Sequence, residues 1–170
     1  MPRLNLTQKP QGPSEMQSRY ARVTEGEQGL ADTYRALFSN PQVACRLAGL
    51  DELIGQSAEP WINYTVALTV AHERNSATLW SSFEPVARKA GVSNAVIEGI
   101  ASGTAPRGLL PKEGIWVHFT LEMIRDQVRD STWQAATHLV GESGAVNLAI
   151  TACYYETMAR LNSAFALDAG

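Results

Sequence analysis

Residues 61–91, WINYTVALTVAHERNSATLWSSFEPVARKAG, constrain the fold more than any other part of the chain. The apolar segment 61–74 has the length and composition of a helix that is buried on most sides. A break at Asn75-Ser76 interrupts it, and a second helical segment continues to Gly91. We therefore expect two helices packed as a hairpin, with their junction facing a pocket.

Two alternatives stay open inside this stretch. The β-branched residues of its first half also suit a strand, and Pro85 either kinks the second helix or starts a new segment. Helical spacing recurs through the rest of the chain, and no stretch combines strand alternation with turn signals. Helices are expected at 14–23, 30–38, 41–55, 95–100, from 111 to about 128, at 132–141 and at 143–167, with a loop at 25–29. The sequence therefore predicts an all-α fold.

The domain organisation follows from the same pattern. Residues 1–13 contain three prolines and a glycine and are expected to run over the surface without regular structure. Residues 14–170 then form one helical domain. In the segment after Pro111, the residues Ile115, Phe119 and Met123 recur on one face, which should be the apolar face of that helix.

Composition limits the classes of function. The 170 residues are 45% hydrophobic and carry a formal net charge of −3, which argues against nucleic acid as a partner. No apolar run is long enough to span a bilayer, and the first residues lack the core of a signal peptide, so we expect a cytoplasmic protein that is not bound to membranes. Cys45 and Cys153 fit no metal or redox spacing and are expected to be buried thiols. The scattered histidines form no metal signature, so neither a metal nor a cofactor is expected.

The segments ALTVAHERNSATLWSSFEPVARKAGVS and AITACYYETMARLNSAFAL resemble the carboxymuconolactone decarboxylase and alkylhydroperoxidase-D-like superfamily. The resemblance covers nearly the whole chain. Its more specific parts are the surroundings of Trp80 and the spacing of Ala87 and Gly91. It implies a helical bundle of that superfamily, and it implies a homo-oligomer (dimer, trimer or hexamer) with pockets near the subunit contacts.

The chemistry usual in that superfamily is not implied. Peroxidatic members carry a Cys-x-x-Cys pair, a histidine and a glutamate, and other members keep a glutamate and a histidine on the second helix. The matching positions here are Ser76, Leu79, Phe83 and Tyr64. Because peroxide reduction needs a thiolate and a resolving thiol, dithiol peroxidase activity is expected to be absent.

Three residues are candidates for acid–base catalysis. Tyr64 lies where relatives often carry an acid and could donate a proton, although a buried tyrosine with a satisfied hydroxyl is equally consistent. His72 could act as a base or could simply interact with the C-terminal dipole of its helix. His118 lies on a helix that packs over the pocket in the superfamily and could replace the base lost at Phe83, or it could be a hydrogen-bonded residue at the rim.

Substrate-binding candidates surround the same junction. Trp80, Phe83, Trp116 and Tyr154 could form an aromatic box, although aromatic residues at helical spacing also fit an ordinary core. Ser76 and its neighbouring hydroxyl residues could cap the second helix or help its N–H groups to hold an anionic oxygen. Arg74 and Arg107 could clamp a carboxylate, with solvated arginines as the alternative.

Two functions from different classes follow. The first is a cofactor-independent lyase or isomerase, which would decarboxylate, dehydrate or cyclise an apolar organic acid, lactone or biosynthetic intermediate at the Tyr64/Ser76/Trp80 junction. The second is a non-catalytic ligand-binding or accessory oligomeric protein of the same fold. The loss of the usual catalytic groups favours the second function, whereas the polar residues retained around Ser76 and His118 favour the first.

Overall fold

The computed structural model describes residues 1–26 and 30–168, and every regular element within those ranges is an α-helix. The helices are α1 (Ser14–Glu25), α2 (Ala31–Leu37), α3 (Pro41–Ser57), α4 (Pro60–Glu73), α5 (Ala77–Lys89), α6 (Asn94–Ala101), α7 (Pro111–Ile124) and α8 (Asp130–Phe165). The prediction of an all-α, single-domain fold is confirmed, and the strand alternative for the first half of 61–91 is wrong. Of the predicted loop at 25–29, residues 27–29 lie outside the described ranges.

Helix α4 lies at the centre of the fold. It packs against α5, α6, α7 and α8, and its residues from Thr65 to Ala71 are all buried. The side chains of this segment are apolar or carry only a hydroxyl group. Every face of the helix can therefore be buried without leaving a charged group out of water. Pro60 occupies the first turn, where the missing N–H costs no helical hydrogen bond.

The predicted hairpin of α4 and α5 is present. Asn75 ends α4 with a φ of 52°, a left-handed conformation that asparagine adopts more readily than most residues. Ser76 follows and donates its backbone N–H to the carbonyl of Ala71 at 2.9 Å. Helix α5 then continues without interruption through Pro85 to Lys89, so this proline does not start a new segment.

Helix α8 changes direction at Gly141, as the sequence predicts. The residue has φ 76° and ψ 169°, a combination outside the helical region that is almost exclusive to glycine. Trp133, before the kink, lies with its ring centroid 6.3 Å from that of Phe119 on α7, and Tyr155, after the kink, lies 5.2 Å from Phe83 on α5. Gly141 thus separates two parts of α8 that contact different helices.

Helix α7 fully buries only one of the three residues of the predicted apolar face, Phe119. Trp116, Val117 and Phe119 are buried, whereas Ile115 and Met123 are only half-buried. The helix is therefore rotated relative to the predicted apolar face. This rotation places His118 beside α4 at the edge of a cavity.

The N-terminal segment 1–13 has no helix or strand. It runs along the surface and is held by main-chain hydrogen bonds from Arg3 to Phe165 at 2.9 Å and from Thr7 to Arg35 at 3.0 Å. No helix in the described ranges is both long enough and apolar enough to cross a membrane.

Candidate functional site

A cavity of about 550 Å³ lies between α4, the α6–α7 connection, α7 and the connection to α8. Its apolar wall includes Ile100, Val117 and Leu121. The ionisable residues of its wall are His72, Glu73, Arg107, His118, Glu122, Arg125 and Arg129. We call it the histidine cavity. Three guanidinium groups and two carboxylates make the wall positive even when both histidines are neutral, although the whole chain has a net charge of −3.

His118 is held by two partners on the wall of the histidine cavity. Its Nε2 atom lies 2.9 Å from Oε1 of Glu122, one helical turn further along α7. The same nitrogen contacts the Nη2 atom of Arg129. Because a ring nitrogen cannot donate and accept at once, the tautomer decides which contact is a hydrogen bond. The imidazole is thereby oriented while it remains partly exposed to the cavity.

Glu122 anchors this cluster. Its carboxylate accepts a hydrogen bond from Nε of Arg129 at 2.6 Å and another from the Arg129 backbone N–H at 3.1 Å. Burial raises the pKa of Glu122, but the hydrogen bonds from the Arg129 backbone, the Thr132 side chain and the Arg129 guanidinium outweigh that effect, so the pKa is lowered from its ordinary value. The carboxylate therefore stays ionised beside His118.

His72 faces the same cavity from α4. Its Nδ1 lies 3.9 Å from the carboxylate of Glu73, which accepts a hydrogen bond from Arg125 at 3.1 Å. Gly103, in the α6–α7 connection, has a φ of 69° and lies beside the imidazole. A side-chain carbon at this position would lie 3.8 Å from the ring. Two histidines thus meet in one cavity, each beside a glutamate that is paired with an arginine.

Tyr64 is separated from the two histidines. It lines a second cavity of about 320 Å³ between α1, α3, α4 and α8, which we call the Asp51 cavity. Its ring centroid lies 6.3 Å from that of Phe83. The two cavities share no lining residue, so the structure does not bring Tyr64 into one pocket with His72 or His118.

The junction of α4 and α5 is filled by the chain itself. Ser76 is 2% exposed and donates its hydroxyl hydrogen to Oδ1 of Asp168 at 2.8 Å. The same oxygen accepts the Thr78 backbone N–H at 3.1 Å, and the Thr78 hydroxyl donates to the carbonyl of Leu167 at 2.8 Å. An anionic oxygen does lie at the start of α5, as one alternative predicted, but it belongs to Asp168. We call this arrangement the Asp168 cap.

The arginine candidates divide between two places. Arg107 lines the histidine cavity, as a carboxylate clamp requires. Arg74 instead contacts the carboxylate of Glu156 on α8 and does not line either of the two cavities. Its predicted role as a clamp is therefore not supported by its position.

The predicted aromatic box is not assembled. Phe83 and Tyr154 each stack edge-on against Tyr155, with centroids 5.2 and 5.3 Å apart. Trp80 lies next to His72 at 6.3 Å and hydrogen-bonds Glu84, while Trp116 is 3% exposed and lines a separate groove. Phe83 and Tyr154 thus pack on one tyrosine, whereas Trp80 and Trp116 lie in other parts of the fold.

Sequence reasoning missed Glu122, Arg125, Arg129 and Asp51. The spacing of His118 and Glu122 by four residues is the signal that could have found the first, because side chains one helical turn apart contact each other. Arg125 and Arg129 lie in and after the turn that follows α7. In such a turn, the spacing of residues along the sequence does not determine where their side chains point. Asp51 lies in the middle of α3 and is only 8% exposed. The spacing of apolar residues along α3 does not indicate that an aspartate there is buried.

No group of three or more histidine, cysteine, aspartate or glutamate residues within the described ranges is arranged to hold a metal ion. Comparisons with models of known protein families, with curated proteins and with solved structures find no match for the chain.

Proposed function

We propose that the protein is a cofactor-independent acid–base enzyme of the lyase or isomerase type, acting on a small organic anion in the histidine cavity. The observation that carries the proposal is the meeting of His72, His118 and Arg107 in one cavity of about 550 Å³. All three were candidates from sequence alone. The resemblance to the carboxymuconolactone decarboxylase superfamily supports the reaction class, and the absence of the Cys-x-x-Cys pair supports chemistry other than dithiol peroxide reduction.

The residues of the cavity have complementary roles in this proposal. Arg107 and Arg125 bind the carboxylate or lactone oxygen, and their positive charge stabilises the negative charge that develops on that oxygen when a neighbouring carbon loses a proton. Ile100 and Leu121 contact the apolar part of the substrate.

The two histidines move the proton. His118 removes it from the carbon through an imidazole nitrogen, and Glu122 stabilises the imidazolium that forms. His72 returns a proton to a different carbon in an isomerisation, or to a leaving hydroxyl group in a dehydration. The electron pair of the broken C–H bond then becomes the new double bond, and no oxidant or reductant is needed.

The alternative is a ligand-binding or accessory protein without catalysis. One observation favours it: Glu122 and Arg129 both contact Nε2 of His118, so this ring nitrogen is already occupied by the protein. A histidine whose nitrogen is occupied in this way orients a ligand more readily than it removes a proton.

The deciding experiment is a search for proton exchange at carbon. Small unsaturated acids and lactones are incubated with the protein in D2O, and NMR detects deuterium incorporation, double-bond movement or loss of CO2. The wild type should act on at least one compound, and His72→Ala and His118→Ala should each lower that turnover at least about tenfold, as general acid–base groups do. His138→Ala is the matched control, because His138 is exposed and outside the cavity.

Two results would contradict the enzyme. Turnover that survives in the His72→Ala/His118→Ala double variant places the chemistry elsewhere. If no compound reacts but calorimetry detects binding of a small carboxylate that requires Arg107, the alternative function is correct. Peroxide consumption with a reduced dithiol donor should not exceed that of buffer.

We also propose that the protein is a cytoplasmic homo-oligomer. Several large apolar side chains lie on its surface, the most exposed of them within the helices being Leu53 at 64% and Leu139 at 53%. A subunit contact would remove such side chains from water.

A further inference from the structure

The Asp51 cavity is built differently from the histidine cavity. Its volume is about 320 Å³, and its acidic residues, Asp51 and Glu52, outnumber its single cation, Arg22. Arg22 donates to Oδ2 of Asp51 at 3.2 Å and also to the carbonyl of Ala48, so its charge is directed at the buried carboxylate. The cavity therefore keeps a negative charge from Glu52, which is exposed at the rim.

Hydrogen-bond acceptors in this cavity exceed the donors that the protein supplies. Asn63 is 4% exposed, and its Oδ1 atom is buried without a partner while its Nδ2 donates to the carbonyl of Ile54 at 2.9 Å. Buried polar atoms are almost always paired, so this orphaned oxygen shows that the polar groups of a residue lining the cavity are incompletely satisfied by the protein. Glu52 forms no hydrogen bond or ion pair with any described residue.

Aromatic rings form another side of the cavity. Tyr64 is half-buried there, and Tyr155 is 6% exposed. The Tyr155 hydroxyl makes no hydrogen bond to a residue in the described ranges. Burial raises the pKa of Tyr155 well above its ordinary value, so the ring stays neutral. Neutral tyrosine rings attract organic cations and can contact a short alkyl chain.

We propose that the Asp51 cavity is a second ligand site, which binds a small organic ammonium ion. The ammonium group supplies several N–H donors, which match the Glu52 carboxylate and the hydroxyl oxygen of Tyr155, two acceptors on residues that line the cavity. The alkyl part of the ligand lies against Tyr64 and Tyr155. The site shares no lining residue with the histidine cavity, so it does not depend on the function proposed there.

The test uses three probes of nearly equal size that differ in charge: butylammonium, 1-butanol and butyrate. Each is titrated into the full-length 15N-labelled protein, and NMR follows the backbone amides. Butylammonium should shift amides near Asn63 and Tyr155 in a saturable way. Butanol and butyrate should bind at least about tenfold more weakly, because neither supplies a cation for Glu52 and the tyrosine rings.

Variants then test the assignment. Glu52→Gln keeps the size of an exposed side chain but removes its charge, and it should weaken butylammonium binding several-fold. Glu98→Gln changes another exposed glutamate, on α6, and should leave binding unaltered, as should His118→Ala in the other cavity. Tyr155→Phe retains the ring and should weaken binding less than Glu52→Gln does.

The proposal is overturned by any of four results. These are no saturable shift with butylammonium, equal binding of butanol or butyrate, shifts that map away from α3, α4 and Tyr155, and an affinity that Glu52→Gln leaves unchanged. A spectrum that shows each variant folded excludes loss of structure as the cause of weaker binding.

Discussion

His118 and Glu122 lie one helical turn apart on α7, with Nε2 and Oε1 separated by 2.9 Å. The carboxylate of this pair also accepts two hydrogen bonds from Arg129, which ties the connection before α8 to α7. A single buried carboxylate therefore orients the candidate base and fixes one wall of the histidine cavity.

Glu122→Gln should destabilise the protein by about 1 kcal/mol at neutral pH, because it removes the charge from hydrogen bonds to a partly exposed arginine. The pKa of Glu122 is lowered by folding, so the unfolded chain takes up its proton at a higher pH than the folded chain does. The stabilisation is thus complete above the unfolded value of about 4.5 and is lost as the pH falls through the folded value.

Urea unfolding at a series of pH values measures this effect. The difference between wild type and Glu122→Gln should be constant around neutral pH and should shrink below about pH 4.5. A difference that is the same at every pH would mean that the carboxylate charge does not contribute.

Tyr64→Phe should leave turnover in the histidine cavity within about twofold of wild type, because Tyr64 lines the other cavity. His118→Ala in the same assay should reduce turnover by about tenfold or more. Steady-state kinetics on any substrate found by the deuterium screen compares the two. A large loss with Tyr64→Phe and none with His118→Ala would move the chemistry to the Asp51 cavity.

Gly141→Ala should destabilise the protein by about 1–3 kcal/mol, because φ 76° and ψ 169° strain any residue with a side chain. The matched control is Gly55→Ala. Gly55 lies inside α3 with open space around the position of a new methyl group, so alanine there should stabilise by about 0.5–1 kcal/mol. Thermal unfolding of both variants compares their stabilities. If Gly141→Ala left the stability unchanged, α8 would continue straight through this position.

Asp168→Asn should lower stability by about 0.3–1 kcal/mol, since the amide oxygen of asparagine can still accept both hydrogen bonds and only the negative charge at the start of the helix is lost. Asp130→Asn is the control, because Asp130 is an exposed acid in the first turn of α8. Chemical unfolding should show a clearly larger loss for Asp168→Asn. Equal losses of stability in the two variants would mean that the Asp168 cap stabilises the protein no more than any negative charge near the start of a helix does.

Native mass spectrometry should detect a dimer, trimer or hexamer. If Leu139 lies in a subunit contact, Leu139→Glu should shift the distribution toward monomer, because it places a charge where an apolar side chain is covered. A wild-type protein that is monomeric at micromolar concentration would contradict the proposed oligomer.

The sequence was sufficient for the parts of the fold that depend on local patterns. Helix α4 could be predicted as central because it has no polar face, and the breaks at Asn75 and Gly141 could be predicted because those residues tolerate unusual backbone angles. The orientation of α7 could not be predicted. Trp116 and Ile115 are both apolar, and which of them is buried depends on how the helix packs against α4 and α8.

The candidate site was predictable only in part. His72, His118 and Arg107 were named from sequence and lie together, but Tyr64, Ser76 and Arg74 do not join them. Ser76 and Arg74 are occupied by Asp168 and Glu156, acids more than 80 residues away in the chain. Helical spacing describes neighbours along one helix and contains no information about such distant partners.

The Asp168 cap has a consequence for the order of folding. Thr78 and Asp168 are 90 residues apart, so the first turn of α5 completes its hydrogen bonds only after the last helix has reached α4. Closing so long a loop costs chain entropy, which favours late formation of this contact. During synthesis on the ribosome, the α4–α5 hairpin would emerge with an incomplete helix start and would become fully ordered only after Asp168 has been added and has left the ribosome.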